Sequence, residues 1–336
     1  MLRRQSRRTV PGAVTMRHVG MLARGVGLLL LSLVHASAGG AEMRWSLLPA
    51  VTADLLPPGT DSTSKVPAAE ADAGAVVPED QEKASLTEIN RQLTNPVTSF
   101  WSLTFQFNNY VLDQGQLNSN MIFQPVLPVS LTEDWNLINR PVIPLYQSAP
   151  RPVGPQLQQF RQTTTFGDLG DVEMLSPAHA GPWLLGLGPT FIFPTAGSVW
   201  TGQGKYQVGP AAVVGYLTKQ YIVGVFPQQW WSVSGGSRPA VSQLNVQPFA
   251  SYFFGEGWSV GYSGNILANW EAPRSQRWTV PVGLALSKVV KLGPLPVRIA
   301  LAGQYMPERP ATVGQQWNVQ LVVAPVIPKL FKGTVF

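Results

Sequence analysis

The chain of 336 residues is 45% apolar and only 12% charged, carries a net charge of +6 and contains no cysteine. So low a charge density, against roughly a quarter in soluble domains, points to a surface only partly in contact with water. Thiolate metal sites, thiol redox chemistry and disulfide scaffolds are excluded. Nucleic-acid binding is not indicated either: the positive excess is matched by Arg3, Arg4, Arg7, Arg8, Arg17 and Arg24 in an acid-free N-terminal stretch, and the rest of the chain is balanced.

Residues 1–38 read as a secretory signal peptide. A basic stretch precedes the apolar run "GVGLLLLSLV" (Gly25 to Val34), and Ala36-Ser37-Ala38 supplies the small residues of a cleavage site. The apolar run is too short to span a bilayer as a helix; the alternative reading is an N-terminal anchor. Residues 39–98 read as an acidic arm rich in Ala, Pro, Ser and Thr, whose composition buries too little to fold alone, so a disordered or loosely tethered segment is expected. Within it "SLTEINRQL" (Ser85 to Leu93) predicts a short helix, with Ser85 and Glu88 spaced as a capping box. The arm is either a passive linker or a plug or tether for the remainder of the chain.

From Ser99 onward the pattern changes to a period of two. "FWSLTFQFNN" sends Trp101, Leu103, Phe105 and Phe107 one way and Ser102, Thr104, Gln106 and Asn108 the other. "SQLNVQPFASYFF", "GWSVGYSGNILANW", "RWTVPVGLALS" and "QWNVQLVVAP" repeat it. Such alternation is a β-strand with one apolar and one polar face. About twelve such segments are predicted, near 99–110, 117–130, 135–146, 164–175, 182–194, 203–217, 220–232, 240–254, 257–270, 276–290, 296–307 and 315–327. Short joins ("TED", "TKQ", "GEG", "LGPLP") and longer ones (147–162, 197–202, 234–238) connect them. Residues 99–336 are therefore predicted to form an all-β, antiparallel, up-and-down transmembrane β-barrel.

Spacing supports the membrane. Trp258 and Trp270 sit twelve steps apart on one apolar face, about 40 Å along the strand and about 28 Å along the normal of a bilayer at a 45° tilt. Trp101, Trp135, Trp183, Trp278 and Trp317 stand at other strand ends on the apolar phase, so all seven are expected in interfacial girdles. A soluble sandwich or lipocalin-like barrel explains the same period with the apolar face turned inward. It accounts less well for strand length, low charge and a polar face of Ser, Asn, Gln and Gly. The recurrent strand prolines (among them Pro125, Pro141, Pro189, Pro210, Pro248 and Pro281) remove ladder donors in either architecture, and bulges are expected at some of them.

If the polar face lines a lumen, its candidate lining or constriction residues are Arg140, Asp171, Glu173, Lys205, Gln243, Asn245, Gln247, Asn265, Arg277, Arg298 and Asn318, with Arg161 as a further candidate. Asp171 and Glu173 either bind a cation or meet basic residues of neighbouring strands in a filling salt-bridge network. The charged groups would otherwise form a constriction that selects solutes. His179 is the one histidine after the leader, in "SPAHAG" with Ser176 before it; a turn residue is the simpler reading than a base for a nucleophile. One histidine builds no histidine-rich zinc site, and "GQGKY" lacks the phosphate-loop spacing, so no metal or other cofactor is expected.

The segments "TTTFGDLGDVEML" (Thr163 to Leu175) and "WNLINRPVIPLY" (Trp135 to Tyr146) resemble strand motifs of the Gram-negative outer-membrane barrels grouped under the MetA pathway of phenol degradation. The resemblance covers roughly Asn95 to Lys332. It implies a barrel in the bacterial outer membrane that passes small molecules. "GQQWNV" (Gly314 to Val319) resembles the terminal-strand signal of barrel assembly, while Phe336 lies past the last predicted strand. The expected partners are thus the lipid bilayer, the outer-membrane assembly machinery and a small-molecule solute, aromatic or otherwise apolar. The rival readings are a filled barrel serving as a structural or interaction scaffold, an outer-membrane hydrolase, and a soluble exported binding protein.

Overall fold

The computed structural model describes residues 79–154, 159–311, 313–329 and 334–335; the predicted signal peptide (1–38) and the predicted arm up to residue 78 lie outside the described residues. In chain order the strands are β1 (Trp101–Leu112), β2 (Leu117–Ser130), β3 (Trp135–Val153), β4 (Gln159–Thr165), β5 (Leu169–Pro177), β6 (Trp183–Phe193), β7 (Lys205–Leu217), β8 (Tyr221–Gly235), β9 (Ser242–Gly255), β10 (Trp258–Ser263), β11 (Ile266–Asn269), β12 (Trp278–Leu292), β13 (Leu295–Glu308) and β14 (Gln315–Ile327). Helix α1 (Glu79–Thr94) precedes them, and a single turn, α2 (Arg274–Arg277), lies between β11 and β12.

All pairings are antiparallel, each span beside its chain neighbours, and β1 pairs with β14 (Phe105 opposite Val323, Phe107 opposite Leu321), which closes the sheet. Twelve spans result. β10 and β11 are two pieces of one span, since both keep a single register against β9 and against β12. β4 is the extra strand, a hairpin that pairs only with the upper half of β3. The predicted loop over 147–162 is thus mostly strand, because "SAPRPV" is extended by its prolines and finds a partner in "QFRQTTT". Closure leaves no sheet edge on the barrel, as a lipid-facing sheet requires.

Both the first and the last span start or finish at the end of the barrel with the short turns. The tightest of these turns is Gly255-Glu256-Gly257, where all three residues have positive φ (97°, 50° and 77°), a path open chiefly to glycine.

Side-chain phase is as the alternation predicts. On β12 the exposed residues are Val282, Leu284 and Leu286, and on β13 they are Ile299, Leu301 and Tyr305. The intervening Ser287, Val289, Ala300, Ala302 and Gln304 are buried inside the closed barrel. The exposed face is the apolar one, so a core turned inward with a wet exterior does not describe the molecule.

The strand prolines have a physical account in the register. Pro125 of β2 falls opposite Pro141 of β3, and no rung is formed there. Pro189 pairs with Pro210 across β6 and β7. Pro248 and Pro281 stand opposite Gly264 and Asn265, where β10 parts from β11. Neither proline has an N–H to give, so the ladder opens between them. Side chains supply some of the missing donors. Tyr262 Oη donates to the Pro281 carbonyl at 2.7 Å, and Thr190 Oγ1 to the Asp171 carbonyl at 3.0 Å. A Cβ at Gly264 would lie 2.3 Å from that Tyr262 oxygen, so the bond depends on the glycine.

Candidate functional site

The interior of the barrel is a site with two unlike walls, a helix docked at one end and loops stapled at the other. On the inward phase of β2, β3 and β5–β9, residues Val126, Ile138, Val172, Met174, Leu184, Ala211, Val213, Ile222, Phe226, Phe249 and Phe253 form one apolar cluster, with Val97 and Leu217 packed on it. The seven strands are consecutive in the sheet, so the cluster coats one side of the lumen. Here both faces of the wall are apolar, and "YIVGVFP" (Tyr221 to Pro227) shows it as an unbroken apolar run.

On β1, β2, β13 and β14 the inward face is instead a set of amides. Asn318 donates to Gln304 Oε1 (3.0 Å) and Asn108 Oδ1 (3.3 Å), Gln320 donates to Asn108 Oδ1 (2.8 Å), and Asn108 donates to Asn120 Oδ1 (2.7 Å). Asn108, Gln304 and Asn318 are buried, so each amide is the solvent of the next. A second amide set, Gln203, Gln207 and Gln243, lies nearer the long-loop end.

Helix α1 docks at the short-turn end. Asn90, 0% exposed, donates Nδ2 to the Gly257 carbonyl (2.9 Å) and to Ser259 Oγ (3.2 Å), and its Oδ1 accepts from Arg298 Nε (3.1 Å) and Ser287 Oγ (3.4 Å). Gly257 N–H donates to Thr87 Oγ1, and Arg91 donates to the Thr218 carbonyl. A side chain at Gly257 would meet Leu86 Cβ at 3.2 Å, so the glycine that makes the turn also admits the helix. The predicted helix over 85–93 is real but longer, because residues before Ser85 continue it.

At the opposite end the loops are held by backbone staples. Asp168 accepts from Ala196 N (3.1 Å) and Gln203 N (2.6 Å), while Arg238 donates to the Gly202 and Val199 carbonyls, both at 2.7 Å. Asp113 takes Arg309 Nε on both oxygens (3.0 and 3.2 Å), and this hydrogen-bonded pairing raises the Arg309 guanidinium further above its ordinary range. A cleft of about 290 Å³ lies among Asp168, Pro194, Val199 and Arg238.

The predicted lining residues separate into groups. Arg140, Gln243, Asn245, Gln247, Asn265, Arg298 and Asn318 are on the inward phase; Asn245 Oδ1 is buried without a partner. Asp171 and Glu173 are not. They alternate with buried Val172 and Met174 and share their face with exposed Leu175, so they project from the outer surface, where Glu173 takes the Asn139 amide. The error has a definite cause: in β5 the inward face is the apolar one, and a polar-equals-lumen rule inverts it. Lys205 binds the Gly235 and Gly236 carbonyls, Arg277 stacks over Trp270 at 5.8 Å and binds the Ala272 carbonyl, and Arg161 is exposed on β4; all three belong to the mouth.

Of the tryptophans, Trp135, Trp183, Trp270 and Trp317 are exposed on the outer surface, and Trp258 and Trp278 are half-buried there. Trp183 meets Tyr216, Trp258 meets Phe254, Trp270 meets Trp278, and Trp317 meets Tyr305. Trp101 departs from the pattern: it is 5% exposed and donates Nε1 to the Pro128 carbonyl. His179 is exposed in the β5–β6 turn and Ser176 faces the interior, so the two are not arranged as base and nucleophile. Among the described residues no group of three or more acids and histidines could hold a metal. Sequence reasoning missed Asn90, Ser259 and Ser287, three ordinary polar residues whose meeting only the closed barrel reveals.

No protein-family model matches the chain, and no curated protein matches it. Among solved structures it is similar to the COG4313 outer membrane channel from Pseudomonas putida F1, at TM-score 0.50 and 14% identity over 68% of this chain and 94% of that one. The NanC porin (TM-score 0.42, 9% identity, 68% and 99% covered) and the P. putida toluene transporter TodX (0.37, 10%, 69% and 92%) resemble it more loosely. The likeness is one of fold: a closed antiparallel barrel of the outer-membrane type.

Proposed function

We propose that the protein is an outer-membrane channel for passive passage of small apolar or aromatic molecules, closed at rest by helix α1. The observation that carries this reading is the apolar wall. A lumen meant for ions or sugars gains nothing from Phe226, Phe249, Ile222 and Met174, whereas an apolar solute leaves water favourably on reaching them. The amide wall opposite is internally satisfied and asks for no ligand. The short-turn end then faces the periplasm, the exposed apolar band with its tryptophans meets lipid, and the chain depends on the outer-membrane assembly machinery. The MetA-pathway barrels of phenol degradation remain the family this reading fits.

The test is single-channel conductance in a planar bilayer, paired with uptake of an aromatic solute by proteoliposomes, for the full chain and for a chain lacking residues 39–94. Rare, small steps in the full chain and larger steps with faster uptake after truncation are expected. Silence in both forms, with correct folding confirmed by a heat-shifted gel band, would mean a filled barrel that acts as a scaffold.

A further inference from the structure

One charged group stands inside the apolar wall. Arg140, on the inward phase of β3 between Ile138 and Val142, lies with its guanidinium carbon 5.4 Å from the centre of the Phe226 ring. Its cross-strand partner is Val172, and its Nη1 is buried without a hydrogen bond. A guanidinium always carries its charge, so it cannot escape burial by losing a proton, and the face of one phenylalanine compensates only in part. Buried charges persist where they are paired or used.

A partner within the chain was one residue away. Asp171 and Glu173 flank Val172, yet both project from the other face of the sheet, and no ion pair joins either of them to Arg140. Arg298, an inward arginine nearer the short-turn end, is engaged by Asn90. The wall around Arg140 offers Val172, Ile138 and Phe226, with no carboxylate among the described residues of that face. The counter-charge therefore has to arrive with a solute.

We infer that Arg140 is an anion-recognition residue of the lumen, and that the preferred solute is a small apolar or aromatic carboxylate. Its carboxylate takes the fork of the guanidinium, and its hydrocarbon body lies against Phe226 and Ile138. The planar fork presents two parallel N–H donors, which match a carboxylate better than a point charge does. Arg140 as a residue is half-buried, with Nη1 covered, so a solute meets the guanidinium only from within the lumen. This deepens the passage reading above and rests on it.

The experiment uses the full chain folded in detergent micelles and compares 3-phenylpropionate with 3-phenylpropanol by isothermal titration, the two ligands differing in charge but not in body. The expected result is at least tenfold tighter binding of the carboxylate, a preference erased in Arg140→Gln with alcohol affinity unchanged, and kept in Arg161→Gln on the exposed hairpin. Should Arg140→Gln fail to give the heat-shifted band, Arg140→Met preserves the volume without the charge and serves instead. Equal affinity for the two ligands in the unaltered protein, or a preference that survives loss of the charge, overturns the inference. Channel steps in the unaltered protein beside equal affinity for the two ligands would break the anion assignment alone; silence with the preference intact would break the passage reading alone.

Discussion

The two walls of the lumen face each other and are built on opposite principles. The apolar wall of β3 and β5–β9 is held by burial, which has no direction and tolerates a guest of similar chemistry. The amide wall of β1, β2, β13 and β14 is held by directed bonds in which Asn108, Asn318, Gln304 and Gln320 already satisfy one another. A solute can replace side-chain contacts on the first wall without leaving any group unpaired. On the second it would have to break a bond for each one it makes. One half of the lumen is thus a surface for binding, and the other is a rigid brace against which it works.

Four changes test that contrast, in falling order of expected effect. Asn90→Ala removes the residue that joins helix α1 to Gly257, Ser259, Ser287 and Arg298. Losing a buried group with several partners costs about 1–3 kcal/mol for each one left unpaired, so open-state occupancy in single-channel recordings should rise at least tenfold. Phe226→Ala opens the apolar wall. A loss of about 3 kcal/mol, read as the urea midpoint of the folded barrel in micelles, is expected together with faster solute uptake; a stability loss with unchanged uptake would remove this wall from the path.

Asn318→Leu strikes the brace. Gln304 and Asn108 each lose a donor, and about 2 kcal/mol of stability should go by the same urea assay with the solute preference unaltered. A changed preference would show that the amide wall reads the solute after all. Tyr262→Phe deletes only the hydroxyl that donates to the Pro281 carbonyl. Its cost should be about 1 kcal/mol, together with faster amide hydrogen exchange at Asn265 and Ile266, where the wall between β10–β11 and β12 has no rungs.

Much of this architecture is legible in the alternation. Twelve spans, their phase, the short turns and six of the seven outer tryptophans follow from a period of two, because the pleat has one geometry whatever surrounds it. What alternation does not carry is which of its two faces looks inward, and because the inward face of β5 is the apolar one it misplaces Asp171 and Glu173 in the lumen. Depth is also beyond it: Lys205 and Arg277 have the right phase but stand at the mouth. The docking of Asn90 is illegible for a further reason, since its partners lie far along the chain and none has an unusual side chain.

That distance has a consequence for how the molecule is made. Asn90 is synthesised before any strand, yet the residues it binds are separated from it by 167 to 208 positions, on the last third of the barrel. Apart from the Thr218 carbonyl that takes Arg91, the helix therefore lacks its seat until β9 to β13 are in place, and the contacts of Asn90 are among the last native ones that can form. Seating of α1 reports that the wall is complete. A barrel halted short of its final strands would keep its first helix loose, and a protease acting from the short-turn side would distinguish the unfinished molecule from the finished one by cutting near Asn90.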